Sequence, residues 1–154
     1  MKKMILITCV LLFSVNFAAA FETHGLRSGM TQDQAKSALE KHWCGKIDMR
    51  WNRIVAYPES PVDPLLILNF KRGGLYRFQK RCLPGYDYFT QLVADKRKEF
   101  GRPVDVWVEP TNLTSTNDSN CIHFRWNNGK HTCRVSYSHN DPNSWLTITY
   151  EDKV

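Results

Sequence analysis

The chain has 154 residues, of which 42% are hydrophobic, and a formal net charge of +6 at pH 7. This length suits one ordinary domain, or two small halves that share a core, and the apolar content is sufficient for a core in water. The net charge is small, and the basic residues are scattered along the chain. We therefore expect no nucleic-acid partner and a modest preference for acidic partners or surfaces.

The first twenty residues have the pattern of a secretory signal peptide. Two lysines precede an apolar run over residues 4–17, and the run is followed by three alanines at 18–20. An apolar run of about fourteen residues is shorter than the roughly 20 that a membrane-spanning helix needs. We therefore expect residues 1–20 to be cleaved, and a mature domain over 21–154 without a transmembrane segment. Its expected location is the periplasm or the extracellular medium.

A first helix is predicted to begin at Thr31, which forms a capping box with Gln34. Cys44-Gly45 is predicted to end it, because glycine readily adopts the left-handed cap. Apolar residues recur between these signals at helical spacing: Ala35, Ala38, Leu39 and Trp43. Three strands are then predicted from alternation or apolar content, over residues 47–51, 65–70 and 76–82.

A second helix is predicted from Asp87 to Phe100, with Gly101 and Pro103 preventing its continuation. Four further strand signals follow it, over residues 104–108, 122–126, 133–137 and 146–150. A turn at 127–130 joins the second and third of these strands as a hairpin.

The order of these elements predicts an α+β fold made of tandem helix-plus-antiparallel-sheet units. One helix and about three strands occupy residues 25–84, and one helix and about four strands occupy 85–154. Each unit alone would bury too little apolar surface, so we expect a single domain with a shared or continuous sheet.

The four cysteines beyond residue 20 are Cys44, Cys82, Cys121 and Cys133. An even number in a small exported domain favours two disulfides. Of the three possible pairings we favour Cys44–Cys82 and Cys121–Cys133, because each pair lies within one half of the chain. A tight turn at 128–129 would place Cys121 and Cys133 on opposite sheet faces, so their bond requires a bulge or a longer turn.

The start of the first helix resembles two groups of exported bacterial proteins. The stretch Gly25 to Ala35 contains Gly-Met-Thr-x-x-Gln at the helix start, and Phe100-Gly101-Arg102-Pro103 supplies a Gly-x-Pro exit after the second helix. These features resemble the SmpA/OmlA outer-membrane lipoproteins and the β-lactamase inhibitory proteins. The resemblance implies a helix packed on an antiparallel sheet, and two such units in tandem for the inhibitory proteins. It assigns no binding residue in this chain.

The residues that we expect to bind a partner are Trp107, Trp145, Arg125 and Arg134. By alternation, both tryptophans point away from the apolar faces of their strands. An outward tryptophan on a sheet is either covered by a helix or part of a contact surface. Because the two arginines lie on the same outer face, the four residues form a predicted patch for an envelope or extracellular protein, or for a glycan.

No motif indicates a catalytic residue, a metal site or a cofactor. His123 and His131 flank one hairpin, but the turn places them on opposite faces, which weakens a paired acid–base site. No serine lies in a nucleophile-elbow sequence, and the chain has no glycine-rich phosphate loop or C-x-x-C spacing.

The sequence thus predicts an exported, non-catalytic protein-binding module of the bacterial envelope, acting as an adaptor or an inhibitor. Two alternatives remain open. One is an outer-membrane assembly or maintenance factor, and the other is a small secreted hydrolase such as a ribonuclease.

Overall fold

The structure, a computed structural model, describes residues 22–110, 120–138 and 145–153. These residues contain two helices, α1 (Gln32–His42) and α2 (Tyr86–Phe100). Their strands are β1 (Glu22–Thr23), β2 (Leu26–Arg27), β3 (Ile47–Arg50), β4 (Arg53–Ala56), β5 (Leu65–Lys71), β6 (Gly74–Cys82), β7 (Asp105–Pro110), β8 (Asn120–Asn127), β9 (His131–Ser138) and β10 (Trp145–Asp152). Strands β1 and β2 form a short ribbon, and the other eight form one sheet in the order β3-β4-β5-β6-β10-β9-β8-β7.

The predicted division into tandem helix-plus-sheet units is wrong. The strands of both halves form a single antiparallel sheet, because β6 pairs with β10 from Cys82 opposite Leu146 to Arg77 opposite Glu151. The first half also contributes four strands to this sheet instead of about three, since β4 was not predicted. The described fold is therefore one sheet-dominated body with two helices packed against it.

Local capping chemistry places the start of α1 and the end of α2 where the sequence predicts them. The predicted left-handed glycine cap at Cys44-Gly45 is wrong, because α1 ends at His42 and Trp43 caps it in an extended conformation. Gln34 N donates to Thr31 Oγ1 (3.3 Å) and Thr31 N donates to Gln34 Oε1 (3.0 Å), so the predicted capping box is confirmed. Helix α1 then buries Ala35 and Leu39 against the sheet. Helix α2 ends at Gly101, whose φ of 80° is the left-handed conformation that glycine tolerates.

The register of the strands defines the two faces of the sheet. One row across the sheet is Met49, Ile54, Leu68, Phe78, Tyr150, Cys133 and Trp126. Both helices pack on the same face as this row: α1 packs on the part of it from Ile54 to Phe78, and α2 on the part from Cys133 to Trp126. The two core clusters that result both include Tyr150. We call this side the helix face. The side chains on the opposite side, which we call the outer face, are covered by neither described helix.

The two predicted disulfides are not formed, and Cys44, Cys82, Cys121 and Cys133 are all free thiols. Cys121 lies opposite Ser138, five positions from Cys133 on the neighbouring strand, so the two cysteines are about 17 Å apart and on opposite faces. Cys44 precedes the edge strand β3 and Cys82 ends β6, with two strands between them, and both thiols are free. A disulfide requires Cα atoms within about 7 Å, and neither favoured pair is formed in the described structure.

Candidate functional site

The outer face over β7 to β10 and β6 brings together the residues that the sequence singled out. Trp107 and Trp145 both lie on this face, as predicted, and both are half-buried. Two strands separate them, so the rings are not in contact. Between them lie small hydroxyl side chains, all nearly buried: Ser136, Ser138, Thr147 and Thr149. Two large aromatic residues thus border a strip of short polar ones.

Trp107 is the centre of a tight polar cluster on β7 and β8. Its ring stacks on His123 with the centroids 4.7 Å apart, and the guanidinium of Arg125 lies 5.8 Å from its centroid. The indole Nε1 donates to Glu109 at 2.8 Å, and Arg125 donates to Asp105. Because each of these groups has a partner, the ring is held in one orientation before any ligand arrives.

His123 joins this cluster to the centre of the sheet. Its Nδ1 lies 2.8 Å from Ser136 Oγ, and its Nε2 lies 3.3 Å from Glu109 Oε2 without hydrogen-bond geometry. Burial of the imidazole, helped by the positive charge of Arg134, holds the pKa of His123 below its ordinary value despite the attraction of Glu109. The neutral form of the imidazole is therefore favoured over the protonated form at pH 7.

These three groups do not form an efficient nucleophilic site. In a catalytic triad the carboxylate accepts a hydrogen bond from the histidine and fixes its orientation. Here Glu109 makes no such hydrogen bond with His123 Nε2. Ser136 also lies in β9, between β8 and β10, so its backbone amide belongs to the ladder and is not free to stabilise an oxyanion. The arrangement orients the His123 ring beneath Trp107.

The other end of the outer face is formed by Trp145, with Arg81 beside it. The guanidinium of Arg81 lies 5.9 Å from the centroid of the Trp145 ring. Sequence reasoning missed Arg81, because alternation along β6 indicates its face but not the pairing with β10 that brings it to Trp145. Arg134 lies on β9, one of the two strands that separate the tryptophans, and is directly opposite Arg125 on β8. The four predicted binding residues therefore share one face, and Arg81 extends it.

The remaining reactive side chains do not join this cluster. His131 lies on the helix face, on the opposite side of the sheet from His123, as predicted. Cys121 is on the outer face but fully buried, and burial raises the pKa of its thiol to about 11, so it is a poor nucleophile. In residues 22–110, 120–138 and 145–153, no group of three or more His, Cys, Asp or Glu side chains could hold a metal ion.

A small cavity of about 220 Å³ lies far from this face, at the loop after α1. It is lined in part by His42, Cys44, Glu59 and Asp63. Cys44 is exposed there and precedes β3, which is at the opposite edge of the sheet from β7 and Trp107. The cavity is a separate feature.

Comparisons of the chain with models of known protein families, with curated proteins and with solved structures find no match. In the part of the chain that the structure describes, no helix has both the length and the apolar character needed to cross a membrane.

Proposed function

We propose that this protein is an exported, non-catalytic protein-binding module of the bacterial envelope, and that it binds its partner through the outer face of the sheet. The observation that carries the proposal is that α1 and α2, the two helices in the described residues, both pack on the helix face, so neither of them covers the aromatic and arginine residues of the outer face. The pattern of residues 1–20 supports export.

The composition of the outer face supports a protein partner. Tryptophan and arginine are the side chains that contribute most often to binding energy at protein interfaces, and here they occur as two pairs, Trp107 with Arg125 and Trp145 with Arg81. The hydroxyl side chains between the pairs are nearly buried, so contact with a partner falls to the tryptophan and arginine side chains. The rings are also preorganised, which reduces the entropy that binding must overcome.

The geometry gives less support to a hydrolase. The two histidines on which such an enzyme would depend lie on opposite faces, and the hydroxyl of Ser136 lacks a free backbone amide beside it. The outer-membrane assembly role uses the same binding face and differs only in the identity of the partner.

A capture experiment tests the proposal. The full chain, tagged at its C terminus and expressed with its own first twenty residues, is cross-linked in cells and recovered from the envelope fraction. We expect one protein to be captured by the wild type and lost with a Trp107→Ala/Trp145→Ala double variant. Trp51→Ala is the matched control, because Trp51 is 96% exposed in the β3–β4 turn, outside the outer face.

Two results would contradict the proposal. One is capture of the same protein by the double variant as efficiently as by the Trp51→Ala control. The other is recovery of the chain from the cytosol with residues 1–20 still attached. Circular dichroism of the purified variants confirms that both remain folded.

A further inference from the structure

Two arginines face each other directly on the outer face. Arg125 on β8 and Arg134 on β9 are Cα partners, and both side chains point away from the helices. Like charges placed directly opposite one another in antiparallel strands destabilise the pair. Such an arrangement therefore needs an anion close by, unless each guanidinium has a carboxylate of its own.

Only one of the two has that carboxylate among the described residues. Arg125 is paired with Asp105, whereas no described carboxylate lies within ion-pair distance of Arg134. The Nε of Arg134 is buried and has no hydrogen-bond partner. A buried donor without a partner costs free energy that a bound acceptor would recover. Arg134 therefore lacks both a described carboxylate for its charge and a hydrogen-bond partner for its Nε.

A second unpartnered group points to a ligand at the same place. Thr147 on β10 is 6% exposed, and its Oγ1 is buried without a hydrogen-bond partner. It is the diagonal neighbour of Arg134, since Arg134 lies opposite Thr149 and Ser136 lies opposite Thr147. Diagonal neighbours in a sheet are about 7–8 Å apart, which a single two-oxygen ligand can bridge. Thr149 is already engaged, because it accepts a hydrogen bond from Gln79 (3.4 Å).

We propose that Arg134 and Thr147 form a carboxylate-binding site on the outer face, and that it takes an aspartate or glutamate side chain of the protein partner. This inference rests on the proposed function and names the chemistry that the partner must present. The planar guanidinium binds a carboxylate through two parallel hydrogen bonds, and the threonine hydroxyl donates a third.

Charge complementarity favours a carboxylate over a phosphate. Arg134 contributes one uncompensated positive charge to the site, and the carboxylate of Glu109 lies on the same face, against His123. Arg81, which lies directly opposite Thr147, is a second arginine without a described carboxylate, and its guanidinium lies 5.9 Å from the centroid of the Trp145 ring. A carboxylate brings one negative charge, whereas a phosphate monoester brings about 1.5 to 2 and would be repelled more strongly by Glu109. The same face already holds two arginine–carboxylate pairs, Arg125 with Asp105 and Arg77 with Glu151 (2.7 Å).

Arg134→Gln separates a binding role from a structural one. Removal of an unsatisfied charge opposite Arg125 should raise the Tm of the free protein, whereas loss of a structural arginine should lower it. Binding of poly-L-glutamate, followed by tryptophan fluorescence, should weaken about tenfold or more in this variant. Arg53→Gln is the matched control, because Arg53 is an exposed arginine on the outer face of β4, and it should bind as the wild type does.

Inorganic polyphosphate and heparin, at equal charge concentration, test the chemical class. Binding of poly-L-glutamate in preference to both supports the carboxylate site, and preference for either polyanion overturns it. A lower Tm for Arg134→Gln, or equal glutamate binding by Arg134→Gln and Arg53→Gln, also overturns it. If Arg134→Gln still captures the envelope partner while the tryptophan double variant does not, this site is refuted and the protein-binding role stands.

Discussion

Replacement of Trp126 by phenylalanine tests whether α2 is fixed to the helix face as described. Trp126 is fully buried on β8, and its Nε1 donates to the carbonyl oxygen of Gly101 (3.0 Å) at the end of α2. The indole therefore links the sheet to the terminus of the helix that covers it. Phenylalanine keeps the apolar contact but loses the donor and part of the ring volume.

The expected destabilisation has two parts of similar size. The lost hydrogen bond contributes about 1 kcal/mol, and the unfilled space left by the smaller ring contributes about 1 kcal/mol more. We therefore expect Trp126→Phe to lower the free energy of unfolding by about 2 kcal/mol, which corresponds to a fall in Tm of about 7 °C for a domain of this size.

Urea unfolding followed by far-ultraviolet circular dichroism measures this change. Trp51→Phe is the control, because its 96% exposed side chain should change stability by less than about 0.5 kcal/mol. Binding at the outer face should be unchanged in both variants, since Trp126 lies on the helix face. Equal stability of the two variants would refute the described packing of α2 on β8.

Three further results are expected. The thiol of Cys44 is exposed and should react rapidly with Ellman's reagent in the native protein, and Cys44→Ser should abolish this reaction. The thiol of Cys133 should react only after unfolding, since burial raises its pKa to about 12. Acidification from pH 7.5 to 5.5 should lower Tm. Burial holds the pKa of His131 in the folded protein below 6.5, its ordinary value. Below pH 6.5 the unfolded chain therefore takes up a proton before the folded protein does, and the free energy of unfolding falls. His131→Gln should make Tm less dependent on pH over this interval. Gly45→Ala should lower Tm by several degrees, because a Cβ at residue 45 would lie 1.8 Å from the Tyr57 carbonyl oxygen. Gly85→Ala is the control, because a Cβ there would make only an ordinary contact with Tyr88 Cβ (3.7 Å).

The helices could be predicted from the sequence because their signals are local. A hydroxyl at Thr31 and an amide at Gln34 cap a helix wherever the surrounding chain lies, and a glycine at 101 ends one. The side of the sheet to which Trp107 and Trp145 point could also be predicted, since side chains alternate along any regular strand. These predictions needed no knowledge of which strands pair.

The sheet could not be predicted in full because its pairing is not local. The junction between β6 and β10 joins Cys82 to Leu146, and nothing in either segment specifies that partner. Strand β4 has only four residues, too few for a clear periodic signal. The alternation over 47–51 also misplaced Trp51 in a strand, whereas it lies in the turn that closes β3 and β4.

The candidate site was predicted in part. Arg125 and Arg134 were placed on the correct face, but their position directly opposite each other follows from the register of β8 and β9. Arg81 reaches Trp145 through the non-local β6–β10 pairing, and so alternation alone could not place it there. The unpartnered state of Arg134 Nε can be seen only when all its neighbours are in place.

Hydroxyl-radical footprinting of the wild-type chain, alone and with its captured envelope partner, tests the binding role of the outer face most directly. We expect the partner to suppress oxidation of Trp107 and Trp145 and to leave the oxidation of Trp51 unchanged. Protection of Trp51, or of Tyr86 and Tyr88 on α2, with both outer-face tryptophans still oxidised, would contradict it.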